Sequence, residues 1–276
     1  MFDRFSRSWE LVKASASVLR SDKELLVFPV LSGIAAMVVV ATFLVPAFAM
    51  RLFDGEAGIG TAVIGFLFYL CQYFVIFFFN TALVGAAMIR LEGGDPTVAD
   101  GLRIARSRLG AILGYAAIAA TVGLLLQAAE QRAGILGRIV IGIVGVAWTV
   151  ATFLVVPVLV ARDLGPIDAV KESAALLKRT WGENLVGNAG IGLAFGLMTV
   201  LVVFAFVALV IGAAVTLGAV AATVLAVIGA LVLAFMAVFQ AALSGIYSAA
   251  LYRFATDGDA PAGFGGGELQ AAFRAK

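Results

Sequence analysis

Three close pairs of aspartates are the residues of this sequence whose type and spacing could support chemistry. The pairs are Asp95 with Asp100, Asp163 with Asp168, and Asp257 with Asp259. Paired carboxylates can hold a divalent cation, which would allow a metal-dependent lipid-modifying enzyme acting through Asp95 and Asp163. Helix capping and loop solvation explain the same residues without a metal. The sequence leaves both interpretations open.

The other groups that enzymes commonly use are scarce. There is no histidine, so the commonest general base and metal ligand are both missing. The single cysteine, Cys71, lies inside an apolar run, where a thiolate nucleophile is unfavourable. The stretches "GGDP" and "GFGGG" lack the lysine and the strand-to-helix context of a phosphate-binding loop. We therefore predict a protein that is not an enzyme and that needs no cofactor or metal.

A few uncharged polar residues interrupt the long apolar stretches. The side chains best placed to line a pathway are the amides of Gln72, Asn80, Asn188 and Gln240. An amide in hydrocarbon needs a partner, so these residues are expected to face one another inside a helical bundle. They could form interhelical hydrogen bonds, or they could line the path of a permease or channel. Gly192 and Gly196 form a GxxxG pair that predicts close helix packing, within one chain or between two copies.

The composition identifies the solvent around these residues. Hydrophobic residues make up 63% of the 276 positions and charged residues only 13%, whereas soluble domains are about half apolar and about a quarter charged. No soluble domain of this size could bury so much apolar surface. We predict an all-α integral membrane bundle, because helices satisfy their own backbone groups in lipid.

Six apolar stretches are long enough to cross a bilayer. They run from about Leu25 to Met50, Ile59 to Ile89, Ala111 to Ala129, Ile139 to Ala161, Leu185 to Ile211, and Val220 to Leu251. The turn between the last two is placed near 212–218. Pro29, Pro46 and Pro157 lie inside these stretches, and each is able to kink its helix.

Basic residues are distributed unevenly between the two sides. The segments 1–24, 90–110, 162–184 and 253–276 carry 16 of the 19 Lys and Arg residues. Basic residues favour the cytoplasmic side, so both termini are predicted to be cytoplasmic, in the cell inner membrane. They are scattered over short loops, so no nucleic-acid partner is predicted.

Three cytoplasmic segments have the spacing of amphipathic helices. The apolar stripes are Trp9, Val12, Ala16 and Leu19, then Val98, Leu102, Ala105 and Leu109, then Ile167, Val170, Ala174 and Leu177. Helices of this kind lie at the membrane surface, where Lys and Arg attract anionic headgroups. The predicted lipid or partner contacts are Arg7, Lys13, Arg20, Arg103, Arg106, Lys171, Lys178 and Arg179.

Each returning span ends in a similar way. "MIRLEGGDP", "VARDLGP" and "LYRFATDGDAP" all place an arginine first, then acidic residues and glycine, then proline. Pro96 and Pro166 are predicted in the first turn of the next helix, with Asp95 as a cap before Pro96. The chain thus divides into units of about 1–90, 91–161 and 162–261 within one polytopic domain, 1–261, followed by a flexible tail, 262–276. Internal duplication and the constraint of the bilayer both explain this pattern.

The recurrent segments resemble a known group of proteins. "SWELVKASASVLRSDKELLVFPVLSG" and "GPIDAVKESAALLKRTWGENLVG" are similar to segments of prokaryotic six-span membrane families of unknown function. The same resemblance extends to the membrane domain attached to some glycerophosphodiester phosphodiesterases. It implies a fold and a membrane location, but no activity, because the catalytic domain is absent from this chain.

The function predicted from the sequence is therefore a non-enzymatic one. We predict a membrane protein that binds or organises lipid or a membrane partner, with a homo-oligomer as a further arrangement. A permease or channel for a small uncharged or anionic solute is the alternative.

Overall fold

The computed structural model describes the backbone of residues 2–49, 58–181, 185–216 and 218–258. Side chains are described for the same residues except 2–11, 49, 180–181, 185–199 and 201. Helix accounts for 91% of the structure, and the described residues contain no strand. The predicted all-α class is confirmed. The predicted tail, 262–276, lies outside the described residues.

The helices follow the apolar pattern of the sequence. They are α1 (Phe2–Ser21), α2 (Val27–Ala49), α3 (Ile59–Leu91), α4 (Val98–Ser107), α5 (Leu109–Arg132), α6 (Ile135–Ala151), α7 (Val155–Ala161), α8 (Pro166–Trp181), α9 (Leu185–Thr216) and α10 (Ala219–Asp257). A short 3₁₀ turn, Lys23–Leu26, leads into α2. Gly218 precedes α10 with a φ of 89°, so the turn between α9 and α10 lies at the end of the predicted 212–218 region.

Five helical stretches of the described residues are long and apolar enough to cross a membrane. They are Lys23–Phe48, Ile59–Leu91, Leu109–Arg132, Ile135–Ala161 and Ala219–Asp257. The remaining predicted span coincides with α9, in which Val202–Thr216 is a shorter apolar helix. The chain is therefore a multi-pass membrane protein.

The stretch predicted as one span, Ile139–Ala161, is divided in two. Helix α6 ends at Ala151, and α7 begins at Val155 after three residues in turns. Proline has no N–H and its ring clashes with the carbonyl four residues before it. Pro157 therefore disfavours a regular helix in the turn where the interruption occurs. Pro46, in contrast, lies within the helix α2.

Pro96 and Asp95 do not have the roles that the sequence predicted for them at the start of α4. Pro96 lies before the helix, and Thr97 is its N-cap. The Thr97 side chain accepts from the N–H of Asp100, and the Asp100 side chain accepts from the N–H of Thr97. The prediction of Asp95 as the cap is wrong, because this capping box satisfies the helix N-terminus better than a residue before the proline could. Pro166 is the first residue of α8, as predicted.

One end of the bundle collects α1, α4 and α8, together with the C-terminal ends of α3, α7 and α10. We call it the basic end. Helix α4 packs on α3, α8 on α7, and α1 on α10. The three returning helices also contact one another, α3 with α7 and both with α10. Their contact region contains fully buried residues such as Val84, Val158 and Ala249.

Candidate functional site

The predicted contact residues lie on the outer surface of the basic end. The side chains of Lys13, Arg20, Arg103, Arg106, Lys171, Lys178 and Arg179 are exposed. Arg7 lies on α1, but its side chain is outside the described part of the chain. The exposed cations are thus distributed over all three short helices rather than gathered in one pocket.

Two of these cations have an acidic partner on their own helix. Arg103 pairs with Asp100, and Lys171 Nζ lies 3.2 Å from Asp168 Oδ1. Among the described residues, no carboxylate pairs with the other five, which are Lys13, Arg20, Arg106, Lys178 and Arg179. Within the described part of the chain, those five are the candidates for contact with an external anion.

The arginines that end the returning helices hold the basic end together. Arg90 Nη1 lies 3.2 Å from Asp95 Oδ1, and Arg90 Nη2 donates to the Ser21 carbonyl at 3.4 Å, which ties α3 to α1. Arg253 Nη1 lies 3.5 Å from Glu92 Oε1, which ties α10 to the end of α3.

The third of these arginines, Arg162, acts in the same way at the end of α7. Its Nη1 donates to Glu172 Oε1 of α8 at 2.8 Å. A hydrogen bond with Tyr252 and the charge of Glu172 raise the pKa of Arg162 above its ordinary value. The repeated arginine of the sequence is therefore a cross-link between helices.

Burial produces an unusual carboxyl group at the junction between α1 and α2. Asp22 is only 7% exposed. Its Oδ1 accepts from the Glu24 N–H at 3.2 Å, while its Oδ2 is buried without a hydrogen-bond partner among the described atoms. Desolvation raises the pKa of Asp22, although the Glu24 N–H and the charge of Arg90 act in the opposite direction. The pKa of Asp100 shifts in the opposite direction. Its carboxylate accepts from the hydroxyl and the N–H of Thr97, and these hydrogen bonds lower its pKa.

The paired aspartates are engaged with cations of the chain. Asp95 pairs with Arg90, Asp163 with Arg108, and Asp257 with Arg253. Asp259 lies outside the described residues. Within the described ranges, no group of three or more His, Cys, Asp or Glu residues is arranged to hold a metal ion. The geometry supports ion pairing and capping as the roles of these carboxylates.

The polar residues of the spans do not converge on one described channel lining. Gln72 and Asn80 are half-buried on α3, and the Gln72 Oε1 is buried without a hydrogen-bond partner among the described atoms. Asn80 lies beside Gly245 of α10. Gln240, however, is exposed on the outside of α10. Asn188, Gly192 and Gly196 lie on α9, and their side chains are outside the described set.

The structure also identifies small residues that the predicted apolar stripes omitted. Ser15 on α1, Gly101 on α4 and Ser173 on α8 are all buried. Each begins a similar six-residue segment, "SASVLR", "GLRIAR" and "SAALLK". One residue of each predicted stripe is buried, namely Leu19, Ala105 and Leu177. Ala16, Leu102 and Ala174 are only half-buried. The apolar pattern thus identified part of each buried face, and the small residue beside the stripe was visible in the sequence but was not included in the prediction.

Comparison with family models gives a match over most of the chain. The model of a family of unknown function, DUF6159, matches residues 58–264, which is about three quarters of the chain. The chain belongs to this family. The DUF6159 match begins just before α3 and extends past α10, so it contains two of the three short basic helices, α4 and α8.

Membership of DUF6159 agrees with the predicted resemblance to uncharacterised families and assigns no activity. Searches of the curated proteins and of the solved structures found no match. Nothing in the comparisons supports the expected likeness to the membrane domain of glycerophosphodiester phosphodiesterases.

Proposed function

We propose that this protein is a non-enzymatic membrane module that binds anionic lipid headgroups at its basic end. The observation that carries the proposal is the set of five exposed cations without an acidic partner among the described residues, Lys13, Arg20, Arg106, Lys178 and Arg179. Near an anionic leaflet, each Lys or Arg contributes about 1 kcal/mol of attraction.

The proposal includes an orientation and a number of spans. The basic end faces the cytoplasm of the cell inner membrane, with both termini on that side, because basic residues are retained there. Helix α9 is the sixth span, since its 32 residues would extend about 48 Å as a continuous helix. In this arrangement α1, α4 and α8 lie at the cytoplasmic surface as amphipathic helices.

The proposal also treats the three units as repeats around a common axis. Each returning helix packs on the short helix that begins the next unit, α3 on α4 and α7 on α8, and α10 closes the circle on α1. The buried Ser15, Gly101 and Ser173 occupy equivalent positions in their segments. A duplicated unit would produce both features together.

A solute pathway, the alternative, has less support. It would be lined by Gln72, Asn80, Asn188 and Gln240, but Gln240 faces outward from the described bundle. A homo-oligomer would place Gln240 against a second copy. Native mass spectrometry from mild detergent separates the lipid module from the homo-oligomer. Retained lipid favours the lipid module, and a defined dimer or trimer favours the oligomer.

Charge neutralisation tests lipid binding directly. We expect Arg106→Gln, Lys178→Gln and Arg179→Gln together to weaken retention of anionic lipid by about a hundredfold, from a loss of about 1 kcal/mol at each site. The measurement is titration of purified protein in nanodiscs or detergent with short-chain phosphatidylglycerol, at two salt concentrations.

The matched control removes cations at the other end of the bundle. Arg132 and Arg138 are equally exposed at the end of α5 and the start of α6, and their replacement by Gln should leave retention unchanged. Equal loss in the two sets of variants would contradict the proposal, as would undiminished binding after the triple substitution.

A further inference from the structure

The interruption between α6 and α7 lies in a buried part of the bundle. Leu154, which ends the interruption, and the first residues of α7, Val155 and Val156, are buried. Irregular backbone that is buried requires hydrogen-bond partners within the protein. The identity of those partners is therefore informative.

One hydroxyl group from another helix supplies both partners. Ser173 Oγ of α8 donates to the Ala151 carbonyl at 2.7 Å and accepts from the Leu154 N–H at 3.1 Å. Ser173 and Leu154 are buried at 0% and 1% exposure. The two backbone groups on either side of the interruption are thus bridged by a single side chain.

The position of this serine is not explained by packing alone. Ser15 of α1 occupies the equivalent place in its segment and is 1% exposed, but its hydroxyl has no hydrogen-bond partner among the described atoms. Helix α10, on which α1 packs, is continuous from Ala219 to Asp257. The bridging bonds therefore occur where the adjoining helix is interrupted.

We propose that the interruption is a joint in the span and that Ser173 is its latch. While α8 is docked, Ser173 satisfies the Ala151 carbonyl and the Leu154 N–H, and the joint is held in one geometry. When α8 moves outward, both groups lose their partner and the joint must bend or close into helix. The position of α8 and the shape of the span are thereby coupled.

Two features of α8 would transmit such a movement, its short link to α7 and its exposed cations. A four-residue link, 162–165, joins α7 to α8, and Arg162 pairs with Glu172 next to the latch. Beyond the latch, Lys178 and Arg179 are exposed and without an acidic partner among the described residues. Whatever binds these cations acts on the same helix that carries Ser173. The coupling itself does not require that ligand to be lipid.

Hydrogen exchange of the joint tests the latch in full-length protein in nanodiscs. We expect Ser173→Ala to accelerate amide exchange in peptides covering 150–156 by about tenfold, because a buried donor loses its partner. Ser15→Ala is the matched control, and it should change the same peptides by less than about twofold. Equal exchange in the two variants would overturn the latch.

A second substitution separates a latch from general packing. Pro157→Ala allows α6 and α7 to join as one helix, so it should slow exchange at 150–156, and adding Ser173→Ala should then have little effect. If Ser173→Ala accelerates exchange as much in the Pro157→Ala background, Ser173 is only a packing residue. If Ser173→Ala does not yield folded protein, Pro157→Ala alone decides, because unchanged exchange there would show that no joint exists.

Discussion

At the scale of single residues, Asp22 is a buried carboxyl group with one oxygen unpaired among the described atoms. Its Oδ1 caps the turn that begins at Lys23, but Oδ2 is buried without a hydrogen-bond partner. Groups around it are Arg90, Glu24 and Asp95, and desolvation outweighs the favourable contribution of Arg90. A carboxyl group with a raised pKa binds its proton more tightly in the folded protein than in the unfolded one.

This shift predicts the sign of a pH dependence. The stabilising contribution of Asp22 is complete below its ordinary pKa of 3.8 and is lost as the pH rises through the higher folded-state pKa. We expect Asp22→Asn, which keeps the capping oxygen, to reduce the fall in unfolding temperature between about pH 4 and about pH 7. The measurement is the unfolding temperature of the two proteins in detergent at a series of pH values.

Asp100 provides the control of opposite sign. Its pKa is lowered by Thr97, so its contribution is present above 3.8 and is lost as the pH falls through the folded-state value. Asp100→Asn should therefore remove stability mainly at neutral pH. A pH profile of Asp22→Asn identical to that of the unchanged protein would show that Asp22 does not titrate as inferred.

The sequence predicted some of these residue roles and not others. The repeated arginine of the three span ends was visible, and Arg90, Arg162 and Arg253 all pair with acidic groups. The pairing of Arg103 with Asp100 and of Lys171 with Asp168 could be predicted, because each carboxylate precedes its cation by three residues on one helix. The burial of Asp22 could not be predicted, because it depends on tertiary packing.

At the scale of elements, α4 depends on the absence of a side chain at its centre. A Cβ at Gly101 would lie 2.6 Å from the Ala82 carbonyl oxygen of α3 and would also meet the ring of Phe28. The same helix pair places Ile104 against Gly85. Because backbone of α3 forms one side of the contact, neither helix can yield by a simple rotamer change.

Gly101→Ala is therefore expected to destabilise the protein in spite of its better helix propensity. Overpacking of this kind costs about 1–3 kcal/mol, against a gain of at most about 1 kcal/mol from the propensity. Chemical unfolding in detergent measures the difference. Gly110→Ala is the control, because a Cβ there meets nothing within 4 Å, and its stability should be equal or higher. Equal stability of the two variants would contradict the close contact.

Element boundaries were predictable where apolar runs end at charged or glycine residues. The predicted Ile59–Ile89 span agrees with α3 to within two residues at its end. The interruption of Ile139–Ala161 was not predictable in position, since the sequence marked Pro157 but gave no indication that Ser173 would bridge the freed groups. That outcome depends on tertiary contact between α7 and α8.

At the scale of the whole molecule, the arrangement of spans decides which side the basic end faces. Labelling of single cysteines by a membrane-impermeant thiol reagent measures this orientation. The cysteines are introduced one at a time into a Cys71→Ala background, at the exposed positions Ser107, Gln131, Ala219 and Thr256. We expect Gln131→Cys and Ala219→Cys to react in intact cells. Ser107→Cys and Thr256→Cys should react only after permeabilisation.

The pattern of labelling separates the alternatives. If α9 did not cross the membrane, Ala219→Cys would be protected and Thr256→Cys would react from outside. Reversal of all four positions would instead show that the basic end faces outward, which would remove the anionic cytoplasmic leaflet as its ligand.

The contact of α1 with α10 has a consequence for synthesis. Ala14, Val18 and Leu19 are buried on α1, which packs on the last helix of the described chain. A ribosome releases α1 first, so its apolar side stays uncovered until α10 has entered the bilayer. Chains stalled or truncated before α10 would display that side at the membrane surface, where proteases and chaperones that survey unfinished proteins could distinguish them from completed ones.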